Sequence, residues 1–119
     1  MGILEDLKAF INMDNVYFNH NEPINGDYIC LWQYGGIHSS AGSRPQVQIK
    51  VKNSKMPVAE SVINEIYGML SPKGNYQKTI QINGKTMLIT PKQSPFYLEK
   101  DAKNRHVYVF NIDIITKRR

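Results

Sequence analysis

Polar and apolar positions alternate without exception from Gln46 to Lys52, setting Val47, Ile49 and Val51 on one side and Gln46, Gln48, Lys50 and Lys52 on the other. A period of two predicts a β-strand with one covered and one wet face, which an antiparallel sheet accommodates; the wet face either meets solvent or another subunit. A helical period runs through Ile3, Leu4, Leu7, Phe10 and Ile11, and again through Ala59, Val62, Ile63, Ile66, Met69 and Leu70. These stripes predict amphipathic helices over 3–13 and 57–70. Glu5 and Asp6 suit the positive end of the first helix dipole, and Pro57 suits the opening turn of the second, where a missing N–H does no harm. Asp14-Asn15 and Ser71-Pro72 supply the stops.

The run Tyr28-Ile29-Cys30-Leu31-Trp32-Gln33-Tyr34 is apolar or aromatic at both alternating sets of positions, predicting a central strand covered on both faces. Gly35-Gly36 is expected to end it, and the small, polar stretch through Ser39, Ser40, Ala41, Gly42, Ser43 and Arg44 has the composition of a mobile loop. Val16-Tyr17-Phe18 reads as a short strand before the turn-rich segment His20 to Gly26. From Lys78 to Thr90 the chain reads as a hairpin turning at Asn83-Gly84, with Ile80 opposite Met87 and Ile82 opposite Lys85. The final strand, Arg105 to Thr116, carries His106, Tyr108, Phe110, Ile112 and Ile114 on one side. Its length implies pairing with more than one neighbour, or extension past its own domain. No repeat or linker interrupts the order. The expected architecture over 1–119 is a single α+β domain, a mainly antiparallel sheet flanked by two helices.

Composition agrees: 119 residues at 41% hydrophobic, 21% charged and 10% aromatic are enough for one core and too apolar for a disordered chain. No window approaches the roughly 20 apolar residues needed to span a bilayer. The opening Met1-Gly2-Ile3-Leu4-Glu5-Asp6 has acids where a secretory signal needs bases, so a cytoplasmic product without a membrane partner is expected. The lone Cys30 fits a reducing compartment. Net charge is +5, from 15 Lys and Arg against 10 Asp and Glu, spread along the chain except for the ending Lys117-Arg118-Arg119. Such a surface permits contact with phosphates but shows no concentrated stripe of a dedicated nucleic-acid binder.

Reactive constellations are missing from the pattern. His20, His38 and His106 have no Cys or paired carboxylates at ligand spacing, so no metal site is expected, and His106 reads as a packed or hydrogen-bonded strand residue. Cys30, between Ile29 and Leu31, reads as a buried thiol and not a nucleophile. The serines lie in no Gly-x-Ser-x-Gly elbow. The glycines from Gly35 to Gly42, with Arg44, match neither the P-loop nor the dinucleotide fingerprint, which favours a contact loop over an anion cradle. Tyr28, Trp32, Tyr34, Tyr97, Tyr108 and Phe110 read as core or interface, since nothing like an RNP signature accompanies them. A small enzyme built from Glu22, His38 and Arg44 has only residue availability behind it. The chain is read as non-enzymatic, with no catalytic residue, cofactor or metal.

In order, the helix at the N-terminus, the strand opened by Asp27-Tyr28-Ile29, the glycine-bearing segment, the Pro45-Gln46-Val47-Gln48-Ile49-Lys50-Val51 strand, the Pro57–Leu70 helix, a hairpin and the closing Tyr108-Val109-Phe110-Asn111-Ile112-Asp113-Ile114 strand resemble the minor capsid and tail terminator proteins of long-tailed bacteriophages. The likeness spans nearly the whole chain. It implies a structural virion protein, assembled in the bacterial host cytoplasm, that forms a homo-oligomeric ring, typically hexameric, at the end of the tail tube. It also implies that such a ring ends tail growth and joins the tail to head-completion proteins. A ring needs one patch to meet a different patch on the next copy, and loops and strand edges commonly supply such contacts. Composition then assigns Tyr34, Gly36 and Arg44 to a subunit or partner contact. Lys117, Arg118 and Arg119 are expected to see DNA passing through without sequence recognition. The alternative reading is a small basic nucleic-acid-binding accessory domain, which would bind single strands in a salt-sensitive way and form no ring.

Overall fold

The apolar stripe of the first helix is realised over Ile3–Ile11 (α1), two residues shorter than the pattern predicts, and buries Leu4, Leu7 and Ile11. Asn12 ends it by taking a left-handed conformation, φ 52°, while its N–H still reaches the carbonyl of Lys8 at 3.0 Å. Asparagine tolerates that conformation better than other residues with a Cβ, so the stop comes before Asp14. The remaining elements are β1 (Val16–Phe18), β2 (Tyr28–Ser39), β3 (Gly42–Asn53), α2 (Met56–Leu70), β4 (Lys78–Ile82), β5 (Lys85–Pro91), β6 (Phe96–Lys100) and β7 (His106–Arg118). The structure is a computed structural model that describes residues 3–18, 26–39, 42–71, 78–82 and 85–118, with 18, 34–39, 42–44, 78, 82, 85 and 116–118 described through their backbone. The expected turns at 20–25 and Asn83-Gly84 lie outside the described residues.

The strands form one seven-stranded sheet in the order β1-β2-β3-β7-β5-β4, with β6 also on β7. Among the described residues only β1 and β2 run parallel; every other pair is antiparallel. Both register expectations for the β4–β5 hairpin hold, with Ile80 opposite Met87 and Ile82 opposite Lys85. The long last strand has several neighbours, as its length implies: β3 along one side, β6 then β5 along the other. Its 13 residues span about 40 Å at roughly 3.4 Å per step, close to the longest extent of the molecule, 44 Å.

One face of this sheet and both helices share one core. Ile29 and Leu31 of β2, Val47, Ile49 and Val51 of β3, and Tyr108, Phe110, Ile112 and Ile114 of β7 meet Leu7 and Ile11 of α1 and Ala59, Ile63, Ile66 and Leu70 of α2. Tyr67 of α2 stands edge-on to Phe110, ring centroids 5.3 Å apart. Pro57 occupies the first turn of α2 as expected, and the Ser71 N–H closes the far end on the carbonyl of Tyr67 at 2.8 Å.

The expectation that 28–34 is covered on both faces is corrected. Cys30 is buried on the face away from the helices, but Tyr28 and Trp32 there are only half-buried. No helical layer among the described residues shields that side. Local groups do so instead: the Arg105 guanidinium lies 5.1 Å and the Lys52 ammonium 5.6 Å from the Tyr28 ring centroid, and Tyr17 meets its edge at 5.9 Å.

Also corrected is the mobile loop expected from Gly35 to Arg44. β2 continues to Ser39 and pairs back on β3, with Gly36 opposite Pro45, Ile37 opposite Arg44, His38 opposite Ser43 and Ser39 opposite Gly42. Small residues here serve a close-packed strand pair, a use that composition does not distinguish from a loop.

Candidate assembly surface

The paired extension of β2 and β3 carries the sequence-predicted contact residues. Pairing steps from Gln33 opposite Val47 to Gly35 opposite Gln46, so Tyr34 is the extra residue of a β-bulge. A bulge bends and twists its strand and re-aims the residues beyond it. Past this one, Gly36 lies against Pro45, and the β3–β7 ladder passes from Gln46–Asp113 to Ser43–Thr116 without pairing Arg44 or Pro45. Proline has no N–H to give to a ladder, which accounts for the gap. Arg44 is thus held from the β2 side, opposite Ile37.

Register brings the two predicted sets together. Thr116 pairs with Ser43, Lys117 with Thr86 and Arg118 with Lys85, so Arg44, Lys85, Lys117 and Arg118 gather at one end of the sheet with Tyr34 and Gly36. Arg119 lies outside the described residues.

Toward the opposite end of β7 lies a feature that sequence reasoning missed. All five residues of β6 are exposed, and Phe96 (41%), Tyr97 (40%) and Leu98 (46%) are apolar or aromatic. The strand holds to β7 with a second bulge at Leu98, between Tyr97 opposite Tyr108 and Glu99 opposite Val107. Tyr97 anchors it: its ring stands 5.3 Å from that of Tyr108, and its hydroxyl is 3.1 Å from His106 Nδ1. Tyr108 in turn donates to Glu60 Oε2 of α2 at 3.1 Å. Burial first, and then the Glu60 carboxylate, hold the Tyr108 phenol above its ordinary pKa. Met56 and Val58, in the first turn of α2, are also exposed at 42% and 41%. The signal that could have revealed β6 was the run Phe96-Tyr97-Leu98 between Ser94-Pro95 and Glu99-Lys100, together with a final strand too long for one partner per side.

The two described histidines, His38 and His106, lie toward opposite ends of the sheet. His106 hydrogen-bonds Tyr97, His38 sits opposite Ser43 in the β2–β3 pair, and His20 and Glu22 lie outside the described residues. Cys30 is buried, in keeping with a structural thiol. Among the described residues no group of three or more His, Cys, Asp or Glu is placed to hold a metal ion, and no helix is long and apolar enough to cross a membrane.

A sequence model of the family described as "Bacteriophage tail terminator protein" matches residues 6–118. No curated protein sequence matches. Among solved structures, the chain is similar to one from the "Virion of native gene transfer agent (GTA) particle", at 13% identity and a TM-score of 0.48, covering 93% of this chain and 84% of that one.

Proposed function

Because the chain belongs to the bacteriophage tail terminator family, whose members are structural and non-enzymatic parts of the virion, we propose that copies of it close into a ring, typically hexameric, at the end of the tail tube. The ring stops tail growth and joins the tail to the head-completion proteins, with itself and those virion proteins as its partners. The observation that carries the reading is the reach of the family match: residues 6–118 take in most of α1, all of α2 and every strand of the sheet. The fold also supplies what a ring requires, two different surfaces at separate places on one subunit. Tyr34, Gly36 and Arg44 belong to one such surface. Lys117, Arg118 and Arg119 face DNA that passes through the ring, an encounter with phosphates and not with base edges.

Electron microscopy of particles made without this protein tests the proposal. Unjoined heads and tails, with tails of uncontrolled length, are expected; complete, infectious virions would refute it. An Arg44→Glu chain should fold normally and fail to join heads to tails. If instead the purified protein binds single-stranded nucleic acid at micromolar concentration and never forms rings on tails, the accessory-domain reading replaces this one.

A further inference from the structure

Natural sheets blunt their free edges with charge, proline or very short strands, because exposed backbone N–H and C=O groups invite another strand. Most edges of this sheet comply: β1 has three residues, and β4 exposes polar Thr79 and Gln81. Two do not. Along β2, the parallel partner β1 stops at the Phe18–Leu31 pair, and among the described residues no strand lies outside Tyr34–Ser39. That stretch, Tyr34-Gly35-Gly36-Ile37-His38-Ser39, contains no Lys, Arg, Asp, Glu or Pro. On the other flank of the sheet, among the described residues β6 pairs with β7 alone, and its first three residues are uncharged and 40–46% exposed. A strand with every residue exposed gains less from burial within its own subunit than a core strand does. A run of three exposed apolar side chains marks a surface made for something else.

We infer that these two edges meet between neighbouring copies, β6 of one subunit lying along Tyr34–Ser39 of the next and continuing its sheet. The inference rests on the ring reading and names its contact. The occupant is a second copy of this chain because a head-to-tail contact needs two unlike patches facing away from each other, and these edges lie on opposite flanks of one sheet. Strand addition satisfies the backbone of both edges at once, and it covers Phe96 and Leu98. It also gives Tyr34 and Gly36 a position inside the contact. The edges lie at different heights: Gly35 is level with Gln46 and thereby Asp113, whereas Phe96 is level with Val109. Each copy therefore steps along the strand direction relative to its neighbour, and closure requires strands inclined to the ring axis, as in any closed sheet.

Disulfide trapping in assembled tails tests the contact. Host cells producing phage would supply a Leu98→Cys chain and an Ile37→Cys or Tyr34→Cys chain, alone and together, followed by oxidation and electrophoresis. A covalent dimer is expected only when the β6 and β2 variants are present together; each variant alone, and the wild type with its buried Cys30, should give none. In parallel, Leu98→Lys should keep the wild-type melting temperature within a few degrees, since the side chain is exposed, and lose ring assembly. Wild-type rings with no mixed dimer, a Leu98→Cys dimer formed with itself, or a Leu98→Lys chain that still builds rings would each overturn the edge pairing while leaving the ring reading in place. Absence of wild-type rings from tails would remove both.

Discussion

Arg105 and Asp101 clasp each other across the β6–β7 turn: the Arg105 Nε–H donates to Asp101 Oδ2 at 2.9 Å and its backbone N–H to Oδ1 at 2.9 Å. The Asp101 N–H returns a bond to the Arg105 carbonyl at 2.8 Å, Asn104 completes the turn at φ 61°, and the Lys103 N–H donates to Oδ1 at 3.0 Å. Arg105 also reaches the Gly26 carbonyl at 2.7 Å, so the clasp ties β6 to the approach to β2.

The Asp101 carboxyl should therefore hold the fold together in a pH-dependent way. Burial acts to raise its pKa, but the hydrogen bonds from Arg105 and Lys103, with the Arg105 charge, outweigh burial and hold it below the usual value. A depressed folded pKa contributes stability that is present above the unfolded pKa, about 3.9, and is lost as pH falls through the folded value. Asp101→Asn should cost about 1–3 kcal/mol at neutral pH. Urea melts at pH 7 and pH 3 should show the gap from wild type closing at the lower pH; a constant gap would mean that the charge is not what matters.

Phe110 should dominate core stability. It is fully buried and braced by Tyr67, and Phe110→Ala is expected to cost about 3–5 kcal/mol. That is a large part of the roughly 5–15 kcal/mol that a domain has in all. Thermal or urea unfolding checks it, with Leu98→Ala as the contrasting change: an exposed side chain should move stability by no more than about 0.5 kcal/mol.

Both hydrophobic periods are readable because burial enforces them: a residue out of step at Ile49 or Ile63 would put a polar group in the core. The β4–β5 register is readable from the alternation on either side of residues 83 and 84, and the several partners of β7 follow from its length. Tertiary burial sets no such constraint on β6, since Phe96–Lys100 faces solvent on both sides and shows no alternation. The 35–44 segment misleads for a related reason. Gly35, Gly36, Ser39 and Gly42 form strand where no core asks for large side chains, so composition alone reads loop. Composition assigns Tyr34, Gly36 and Arg44 to a contact, but nothing local in the chain indicates that β7 brings Lys117 and Arg118 beside them. Their shared end of the sheet depends on register between strands far apart in sequence.

Deleting Tyr34 should separate folding from assembly. Removing the bulged residue lets Gly35 follow Gln33 in simple alternation, with its pairing to Gln46 unchanged, and takes away the local bend and twist that aim 35–39. The core residues Ile29 and Leu31 precede the bulge and keep their register. The melting temperature should stay close to wild type while ring formation on tails, tracked by electron microscopy, is lost. Rings that persist would show that the orientation of 35–39 is irrelevant to the contact.

Tyr108 offers a last test, at alkaline pH. Its phenol is held up chiefly by burial and further by the Glu60 carboxylate that accepts its hydrogen. A raised folded pKa means that the favourable contribution is complete below the unfolded value, about 10, and is lost as pH rises through the folded value. At pH 7 Tyr108→Phe removes one hydrogen bond and leaves the ring against Tyr97, so a loss of about 1 kcal/mol is expected. Above pH 10 the wild type should lose this advantage, because its unfolded chain ionises where its folded chain resists. The two stabilities should then converge, and the ultraviolet titration of the variant should lack the late-ionising phenol of Tyr108. A Tyr108 that ionises at the ordinary phenol value would mean that the link from β7 to α2 opens in solution.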